Sequence, residues 1–274
     1  MTATAPAQDR AGQRDPFPLR GRHALVTGGS RGIGAACARA LAGAGADVTL
    51  LGRTAATLEA LKDELERDLG VRAATVTADA LDEAALREAV ARAAAGLGGI
   101  DILVNNVGGT TSAPVEKVDA AVWHQALALN LTSTFACAQA VVPAMKAAGW
   151  GRIVNIASTA GLKGYAYVAP YCAAKHGVIG LTRALAVELA RTGITVNAVC
   201  PGFADTDMTR DTVDNIRAKT GRDAQAARAE LAALNPQGRL IDPGEVAAAV
   251  AYLCLPAAGS MTGQALAVAG GEVM

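Results

Sequence analysis

Aromatic residues are scarce in this 274-residue chain, at 3% of the sequence, and neither sign of charge is in excess, with 25 Lys and Arg against 25 Asp and Glu. A basic surface interleaved with aromatic side chains, typical of proteins that bind nucleic acid, is therefore not indicated. The same balance gives no reason to expect attraction to an acidic membrane surface. We predict neither a nucleic-acid partner nor a membrane partner.

Cysteine and histidine are also few. The five cysteines are odd in number and widely spaced without a C-x-x-C pair, and the three histidines (His23, His124 and His176) do not cluster. We therefore expect no disulfide framework and no metal site, but reduced and mostly buried thiols in a cytoplasmic protein.

Long apolar stretches and targeting signals are not evident either. No uninterrupted apolar run approaches membrane-spanning length, and the polar N-terminal residues lack the apolar core of a signal peptide. Residues 1–21 are predicted to be a flexible tail or an expression leader.

What the chain does contain, from His23 onward, is an alternation of short apolar runs with helical segments, beginning with HALVTG and GIGAACARALAGAGA. Nearly continuous Val, Ile, Leu and Ala in the predicted strands indicates a parallel sheet that is covered on both faces. No linker or repeat divides this body. We predict a single α/β domain, residues 22–274, with a doubly wound sheet.

Residues that suit chemistry more than packing follow the predicted strands. In strand order they are Gly28–Gly34, Arg53, Asp79, Asn105–Gly109, Ser158 and Pro201-Gly202. Open α/β sheets bind ligands beyond the carboxyl ends of their strands, so these scattered positions are predicted to meet at one edge.

The turn TGGSRGIG, Thr27–Gly34, joins the first strand to the first helix. Gly28 can turn tightly, Gly32 lets the backbone approach a pyrophosphate, and Gly34 allows close packing at the helix N-terminus. Glycines also end strands for steric reasons alone, but this position between strand and helix favours dinucleotide binding.

Arg53 ends the second strand, where proteins that prefer NAD usually carry an Asp or Glu for the ribose 2′-hydroxyl. With Arg31 in the glycine turn it could grip a 2′-phosphate, so NADP(H) is predicted over NAD(H), with NAD(H) still possible. The alternative is two solvated surface arginines. Asp79 could accept from the adenine amino group, while Asp82 fits a helix N-cap better.

These motifs resemble the short-chain dehydrogenase/reductase family, over nearly the whole chain from about residue 22. The family's glycine turn matches Thr27–Gly34, and its N-N-A-G motif matches Asn105–Gly108 with Val107 in place of alanine. Its catalytic asparagine, serine, tyrosine and lysine match Asn130, Ser158, Tyr171 and Lys175. Its P-G turn matches Pro201-Gly202, and Thr206 stands where a hydroxyl commonly meets the nicotinamide carboxamide.

The resemblance implies a Rossmann-type, seven-stranded parallel sheet and hydride transfer between NAD(P) and a carbonyl/alcohol pair. It also implies a homotetramer built partly from the helices that carry Asn130 and Tyr171. The predicted cofactor contacts are Gly28, Ser30, Arg31, Gly32, Ile33, Gly34, Arg53, Asp79, Ala80, Asn106, Val107, Gly108, Tyr171, Lys175, Pro201, Gly202 and Thr206.

Tyr171 and Lys175 lie four residues apart in a helical run, and therefore on one face. We expect the ammonium to lower the phenol pKa from about 10 by up to ~3 units, so that Tyr171 exchanges a proton with the substrate oxygen. Ser158 could donate to that oxygen or simply satisfy a turn. By the resemblance Asn130 holds a water that relays protons to Lys175; a bond to a neighbouring carbonyl is the alternative, and both can hold.

The polar helical stretch of residues 203–238 is a candidate lid over the substrate, and its basic residues are balanced by acids, which indicates a solvated face. The segment between Ser158 and Tyr171, with Tyr165 and Tyr167, would line the pocket. Within the family the chain looks most like bacterial 3-oxoacyl-thioester reductases and 3-hydroxyacyl-CoA dehydrogenases, acting on an ACP- or CoA-linked substrate. The alternatives are a dehydrogenase of a small secondary alcohol or polyol, and a non-catalytic NADP-binding regulator.

Overall fold

The computed structural model describes residues 16–274, and its strands form one sheet. The strands are β1 (His23–Thr27), β2 (Asp47–Gly52), β3 (Ala73–Thr77), β4 (Ile102–Asn105), β5 (Gly151–Ile156), β6 (Ile194–Pro201) and β7 (Ala265–Val268). Their order is β3-β2-β1-β4-β5-β6-β7, with every neighbouring pair parallel. The sheet grows outward in both directions from β1 and β4, so the switch point lies between them. The predicted seven-stranded, doubly wound sheet is confirmed.

Helices join the strands and cover both faces of the sheet. They are α1 (Gly32–Gly43), α2 (Ala55–Leu69), α3 (Glu83–Leu97), α4 (Ala120–Leu127), α5 (Ser133–Ala148), α6 (Ala169–Leu189), α7 (Asp207–Thr220), α8 (Ala224–Ala233) and α9 (Pro243–Cys254). The polar helical stretch predicted over residues 203–238 consists of two helices, because Gly221 ends α7 in the left-handed conformation.

The core lies on the two sides of the sheet. Ala24 and Val26 of β1 pack with α1 and α9, whereas Leu25 between them packs with α3 and α5 on the opposite face. Alternate residues of one strand thus reach different hydrophobic clusters, and all five residues of β1 are buried. This double burial explains why the strands are continuously apolar.

The N-terminal boundary predicted from the sequence is placed too late. Leu19, inside the segment predicted to be a flexible tail, is fully buried in the α1 side of the core, and its N–H donates to Ala44 O at 2.9 Å. The Leu19 side chain packs beside α1. The polar residues around Leu19 in the sequence gave no sign of this packing. The prediction for residues 1–15 lies outside the described residues.

The helical stretch 120–148 is long and apolar enough to cross a membrane by length and composition, with a mean hydropathy of 1.3 over its best window. Polar residues interrupt the apolar run, so its length is not evident from the sequence. A core helix of a soluble protein can have the same length and composition. Only 39% of that window is buried, so much of this apolar surface is uncovered in a single chain.

Candidate active site

The glycine turn forms a tight junction at the end of β1. A Cβ on Gly34 would lie 2.1 Å from Gly28 O, so only glycine lets α1 begin so close to the strand. The Asn106 side-chain amide donates to Thr27 O and Gly28 O, both at 3.1 Å. Thr27 Oγ1 accepts from Asn106 N at 2.9 Å. Asn106 therefore holds the turn against β4, with the N-terminus of α1 open for an anionic group.

The two arginines predicted to select the dinucleotide differ in their surroundings. Arg53 follows the last residue of β2, is exposed, and has no side-chain partner among residues 16–274. Arg31 is exposed but forms an ion pair with Asp207 at 3.2 Å, in the first turn of α7. The sequence did not indicate this carboxylate partner. A group that binds Arg31 would have to share it with Asp207.

Asp79 lies two residues beyond β3 and is exposed. Its Oδ1 accepts from Leu81 N at 3.0 Å, which forms a local turn. Asp82 caps α3 by accepting from Ala85 N, as expected. Ala80 is buried between them. The role of Asp79 toward adenine stays a prediction.

Asn130 is fully buried in a π-helical turn, Ala128–Thr132, that separates α4 from α5. Its Nδ2 donates to Gly109 O and to Ala126 O at 2.9 Å, and its Oδ1 accepts from Gly109 N at 3.1 Å. Asn130 thus has the neighbouring carbonyl as a partner and also clamps the loop after β4. π-turns inside α-helices are frequent at functional sites.

Lys175 is buried on α6, and its side chain extends to the carboxyl end of β5. Its Nζ donates to Ile156 O, at the end of β5, at 2.8 Å. A Cβ on Gly108 would lie 2.8 Å from Asn130 Oδ1 and 3.4 Å from Lys175 Nζ, so the ends of β4 and β5, Asn130 and Lys175 converge. Loss of solvation lowers the pKa of Lys175 to about 8.

Tyr171 lies one turn before Lys175, whose Nζ is 5.6 Å from the centroid of the phenol ring. Burial raises the pKa of Tyr171 to about 12, partly offset by a hydrogen bond with Ser158 that favours the phenolate. The expected lowering by Lys175 is therefore wrong for the protein alone. Desolvation dominates, and the ammonium is directed to Ile156 O rather than to the phenol oxygen.

Ser158 stands just beyond β5 and precedes a short 3₁₀ turn, Thr159–Gly161. Its Oγ accepts from Ala160 N at 3.1 Å, so the serine does satisfy a turn, while its hydroxyl also reaches Tyr171. A Cβ on Gly161 would lie 2.7 Å from Lys175 O. This close approach seats α6 on the turn and fixes the distance between serine and tyrosine.

A chain of buried polar groups beneath the site was not anticipated. Asn105 Nδ2 donates to Asn155 Oδ1, and Asn155 Nδ2 donates to Thr182 Oγ1, each at 2.9 Å. The chain links β4, β5 and α6. Asparagines inside otherwise apolar strands were the available signal, because most buried side-chain polar groups have a hydrogen-bond partner.

The turn after β6 closes the site from the other side. Pro201 ends the strand, and Gly202 N donates to Val268 O at 3.1 Å. A Cβ on Gly32 would lie 3.2 Å from Thr206 Cγ2, so this turn rests on the glycine turn. The structure thereby brings Thr206 beside the predicted pyrophosphate position.

The predicted lid contains α7 and α8, which pack on each other through their own small cluster, including Val213 and Leu231. The Phe203 ring at its base meets the Tyr165 ring edge-on, at 6.3 Å between centroids. Its arginines are paired with carboxylates, which supports the predicted solvated face; the pairs are Arg210–Asp207, Arg217–Asp214, Arg222–Glu230, Arg228–Asp205 and Arg239–Glu245.

Sequence reasoning also missed Glu272, whose side chain is only 1% exposed. It receives a hydrogen bond from the Tyr165 hydroxyl and an ion pair from Lys163 Nζ at 3.1 Å. A Cβ on Gly202 would lie 2.9 Å from its Oε2. A single acid near the C-terminus gave no local signal of this placement.

Comparison with known proteins agrees with this geometry. A family model described as short chain dehydrogenase matches residues 22–217. The chain is 41% identical over 256 residues to a 3-oxoacyl-(acyl-carrier-protein) reductase of Vibrio cholerae, covering 93% of this chain and 99% of that protein. It is 42% identical over 251 residues to a cis-4-hydroxycyclohexanecarboxylate dehydrogenase of Sinomonas cyclohexanicum, covering 91% and 96%.

Among solved structures, a variant of the actinorhodin polyketide ketoreductase with NADPH superposes with a TM-score of 0.87 at 41% identity. The match covers 92% of this chain and 97% of that one. The chain therefore belongs to the short-chain dehydrogenase/reductase family. The predicted family and enzyme class, an oxidoreductase acting on a small-molecule substrate, are confirmed.

Proposed function

We propose that this protein is an NADP(H)-dependent reductase that interconverts a 3-oxoacyl thioester, or a similar ketone, with its secondary alcohol. The observation that carries the proposal is the arrangement of Ser158, Tyr171, Lys175 and Asn130 at the carboxyl edge of the sheet, beside an open helix N-terminus. The 3-oxoacyl reductase and the ketoreductase named above support the substrate class, because each aligns over more than nine-tenths of this chain.

The glycine turn and the two arginines fit an NADP dinucleotide. The pyrophosphate would lie at the N-terminus of α1, where Gly34 keeps space free and backbone N–H groups are available. Arg53 is free to grip the 2′-phosphate, and Arg31 joins it if it leaves Asp207. When bound, the nicotinamide supplies or accepts the hydride.

Proton transfer falls to Tyr171. Its hydroxyl stays protonated at neutral pH because burial raises its pKa to about 12, so it can serve as the acid that protonates a carbonyl oxygen. Ser158 donates to the same oxygen and stabilises its developing charge. Lys175 is mostly protonated below pH 8, and its positive charge favours the departure of the tyrosine proton once the substrate is bound. Asn130 holds the loop after β4 in position.

A second candidate is a dehydrogenase of a small cyclic or secondary alcohol. The relative from Sinomonas cyclohexanicum favours it, because its name specifies a small hydroxycyclohexane substrate and its identity to this chain is 42%. The same four residues would run the reaction in the direction of oxidation.

A homotetramer and a cytoplasmic location complete the proposal. Apolar side chains on α4, α5 and α6 stand exposed in one chain: Trp123 is 38%, Phe135 41% and Val187 81% exposed. Large exposed apolar patches mark interaction sites, and identical helices from a second subunit would cover them. The five cysteines, all free thiols, support a reducing compartment.

The first test is an assay of NADPH oxidation at 340 nm, with NADH in parallel, against acetoacetyl-CoA, 4-substituted cyclohexanones and simple ketones. We expect turnover of the thioester with NADPH, and a 10²–10⁴-fold loss of kcat in Tyr171→Phe, because removing a general acid costs about that much. NADPH binding, followed by fluorescence, should survive the substitution.

The control is Tyr252→Phe, which removes an exposed hydroxyl on α9 and should leave activity unchanged. Turnover with NADH alone would contradict the roles of Arg31 and Arg53. Efficient turnover of cyclohexanones without turnover of the thioester would select the second candidate. NADPH binding without any turnover would favour the non-catalytic regulator.

A further inference from the structure

At the edge of the site, a buried carboxylate has partners among residues 16–274 for only one of its two oxygen atoms. Glu272 Oε1 accepts a hydrogen bond from the Tyr165 hydroxyl and forms an ion pair with Lys163 Nζ. Glu272 Oε2 is buried and has no hydrogen-bond partner in the part of the chain that is described. Leaving such an oxygen unpaired costs free energy, so a donor group is expected to reach it in the working enzyme.

The donors to Oε1 are themselves fixed. The Tyr165 phenol has one proton and gives it to Glu272, so Thr159 Oγ1, 2.6 Å from the phenol oxygen, must be the donor in that contact. Lys163 Nζ also lies 4.9 Å from the centroid of the Tyr165 ring. This network orients the carboxylate, and the only proton of the Tyr165 hydroxyl is used at Oε1.

Glu272 Oε2 lies beside the turn that follows β6. A Cβ on Gly202 would approach it to 2.9 Å, and Gly202 follows the proline that ends β6. Thr159, at the other end of the network, is the residue after Ser158. The Glu272 carboxylate therefore lies between the Ser158 turn and the Pro201-Gly202 turn, several strands away from Arg53 at the end of β2.

We propose that Glu272 is a specificity-determining residue, whose Oε2 accepts a hydrogen bond from a hydroxyl or other donor on the substrate, away from the reacting carbonyl. The inference rests on the proposed carbonyl reduction and narrows its substrate class to ketones that carry a donor. An ether or other acceptor at that position would face a carboxylate lone pair and be rejected.

The test compares ketones that differ only in donor capacity. The pairs are 4-hydroxycyclohexanone with 4-methoxycyclohexanone, and ethyl 4-hydroxy-3-oxobutanoate with ethyl 4-methoxy-3-oxobutanoate. We expect the wild type with NADPH to prefer the hydroxyl member of at least one pair by about 10- to 100-fold in kcat/KM, the range for hydrogen bonds to charged groups. Binding of each pair to the NADP⁺ complex, measured by calorimetry, should show the same preference.

The informative variant is Glu272→Gln. The Tyr165 hydroxyl donates to the Oε1 position and the Lys163 ammonium forms an ion pair with it, so the amide oxygen faces these two groups and its NH₂ group occupies the Oε2 position. A hydrogen-bond donor then replaces an acceptor, and the hydroxyl-to-methoxy ratio in kcat/KM should fall by 10-fold or more. The matched control is Glu64→Gln on α2, which removes one partner of a surface ion pair with Arg39 of α1 and should keep the wild-type ratio.

Three results would overturn the inference: equal binding of both members of every pair by the wild type, an unchanged ratio in Glu272→Gln, or a weaker NADPH affinity in that variant without substrate. The last would mean that Oε2 serves the nicotinamide amide instead. Failure of the proposed function is separate, since it appears as an absence of turnover for every ketone while the binding comparison still decides the role of Glu272.

Discussion

At the scale of single residues, the site is governed by desolvation more than by attraction between charges. Tyr171 and Lys175 are neighbours on one helix face, yet burial moves the pKa of the phenol up to about 12 and that of the amine down to about 8, so each is pushed toward its neutral form. The protein surroundings therefore set the protonation of this pair, and in the proposed reaction a bound cofactor and substrate would complete the environment for proton transfer.

Lys175 should make the stability of the protein depend on pH. Its pKa is about 8 when folded and ~10.4 when unfolded, so the unfolded chain binds more protons between these values and stability rises with pH through that window. Comparing pH 7 with pH 9.5, we expect the wild type to gain about 2 kcal/mol relative to Lys175→Met in chemical denaturation at fixed protein concentration. Lys219→Met, which removes an exposed lysine of α7, should show no such gain. A constant difference between wild type and Lys175→Met would contradict the shifted pKa.

At the scale of elements, the junction between β1 and α1 depends on residue 34 being glycine, which has no side chain. The helix starts so close to the strand that a methyl group on Gly34 would meet the carbonyl of Gly28. Backbone cannot move aside as a flexible side chain can, so the helix itself would have to shift, and with it the N–H groups that are proposed to bind the pyrophosphate.

Gly34→Ala should therefore destabilise the protein by about 1–3 kcal/mol, the usual effect of overpacking, and weaken NADPH binding at least tenfold. Gly43→Ala, in the last turn of the same helix, is the matched control: no atom lies within 4 Å of its added Cβ. This control should be neutral or stabilising by up to ~1 kcal/mol. Thermal unfolding and NADPH fluorescence titration measure both effects; equal behaviour of the two variants would contradict the packing argument.

The elements also show what the sequence could predict. Strand ends were predictable, because apolar runs and the turns after them are local, and so Ser158 and the P-G turn were assigned to one edge. The π-turn at Asn130 was not, since ALNLT has the apolar spacing of an ordinary helix. Glu272 escaped for a different reason: its partners Lys163 and Tyr165 lie more than 100 residues earlier, and only the folded sheet brings them together.

At the scale of the whole molecule, the helices that cover one face of the sheet leave part of their own apolar outer surface exposed in a single chain. The helical stretch 120–148 and α6 present apolar side chains to solvent, although both carry residues of the candidate site on their inner faces. Because Asn130, Tyr171 and Lys175 stand on these helices, subunit contacts on the outer face would steady the site on the inner one.

Val187→Asp should break the proposed assembly, since a carboxylate at an 81%-exposed position costs little in one chain and much in an apolar contact. We expect sedimentation to show smaller particles than for the wild type, together with lower kcat. Leu69→Asp, at the end of α2 on the opposite side of the fold, should leave both unchanged. An unaltered mass for Val187→Asp would exclude this face as the interface.

The buried chain Asn105–Asn155–Thr182 has one further consequence, which concerns alignment. A slip of α6 by one residue along the sheet would displace its side chains by about 1.5 Å and rotate them by about 100°. Apolar packing tolerates small shifts. The same shift would break the hydrogen bonds among Asn105, Asn155 and Thr182 and leave amide and hydroxyl groups buried without partners, so shifted positions of α6 cost free energy. These hydrogen bonds thus fix the alignment of α6 on the sheet, and with it the position of Tyr171 relative to Ser158.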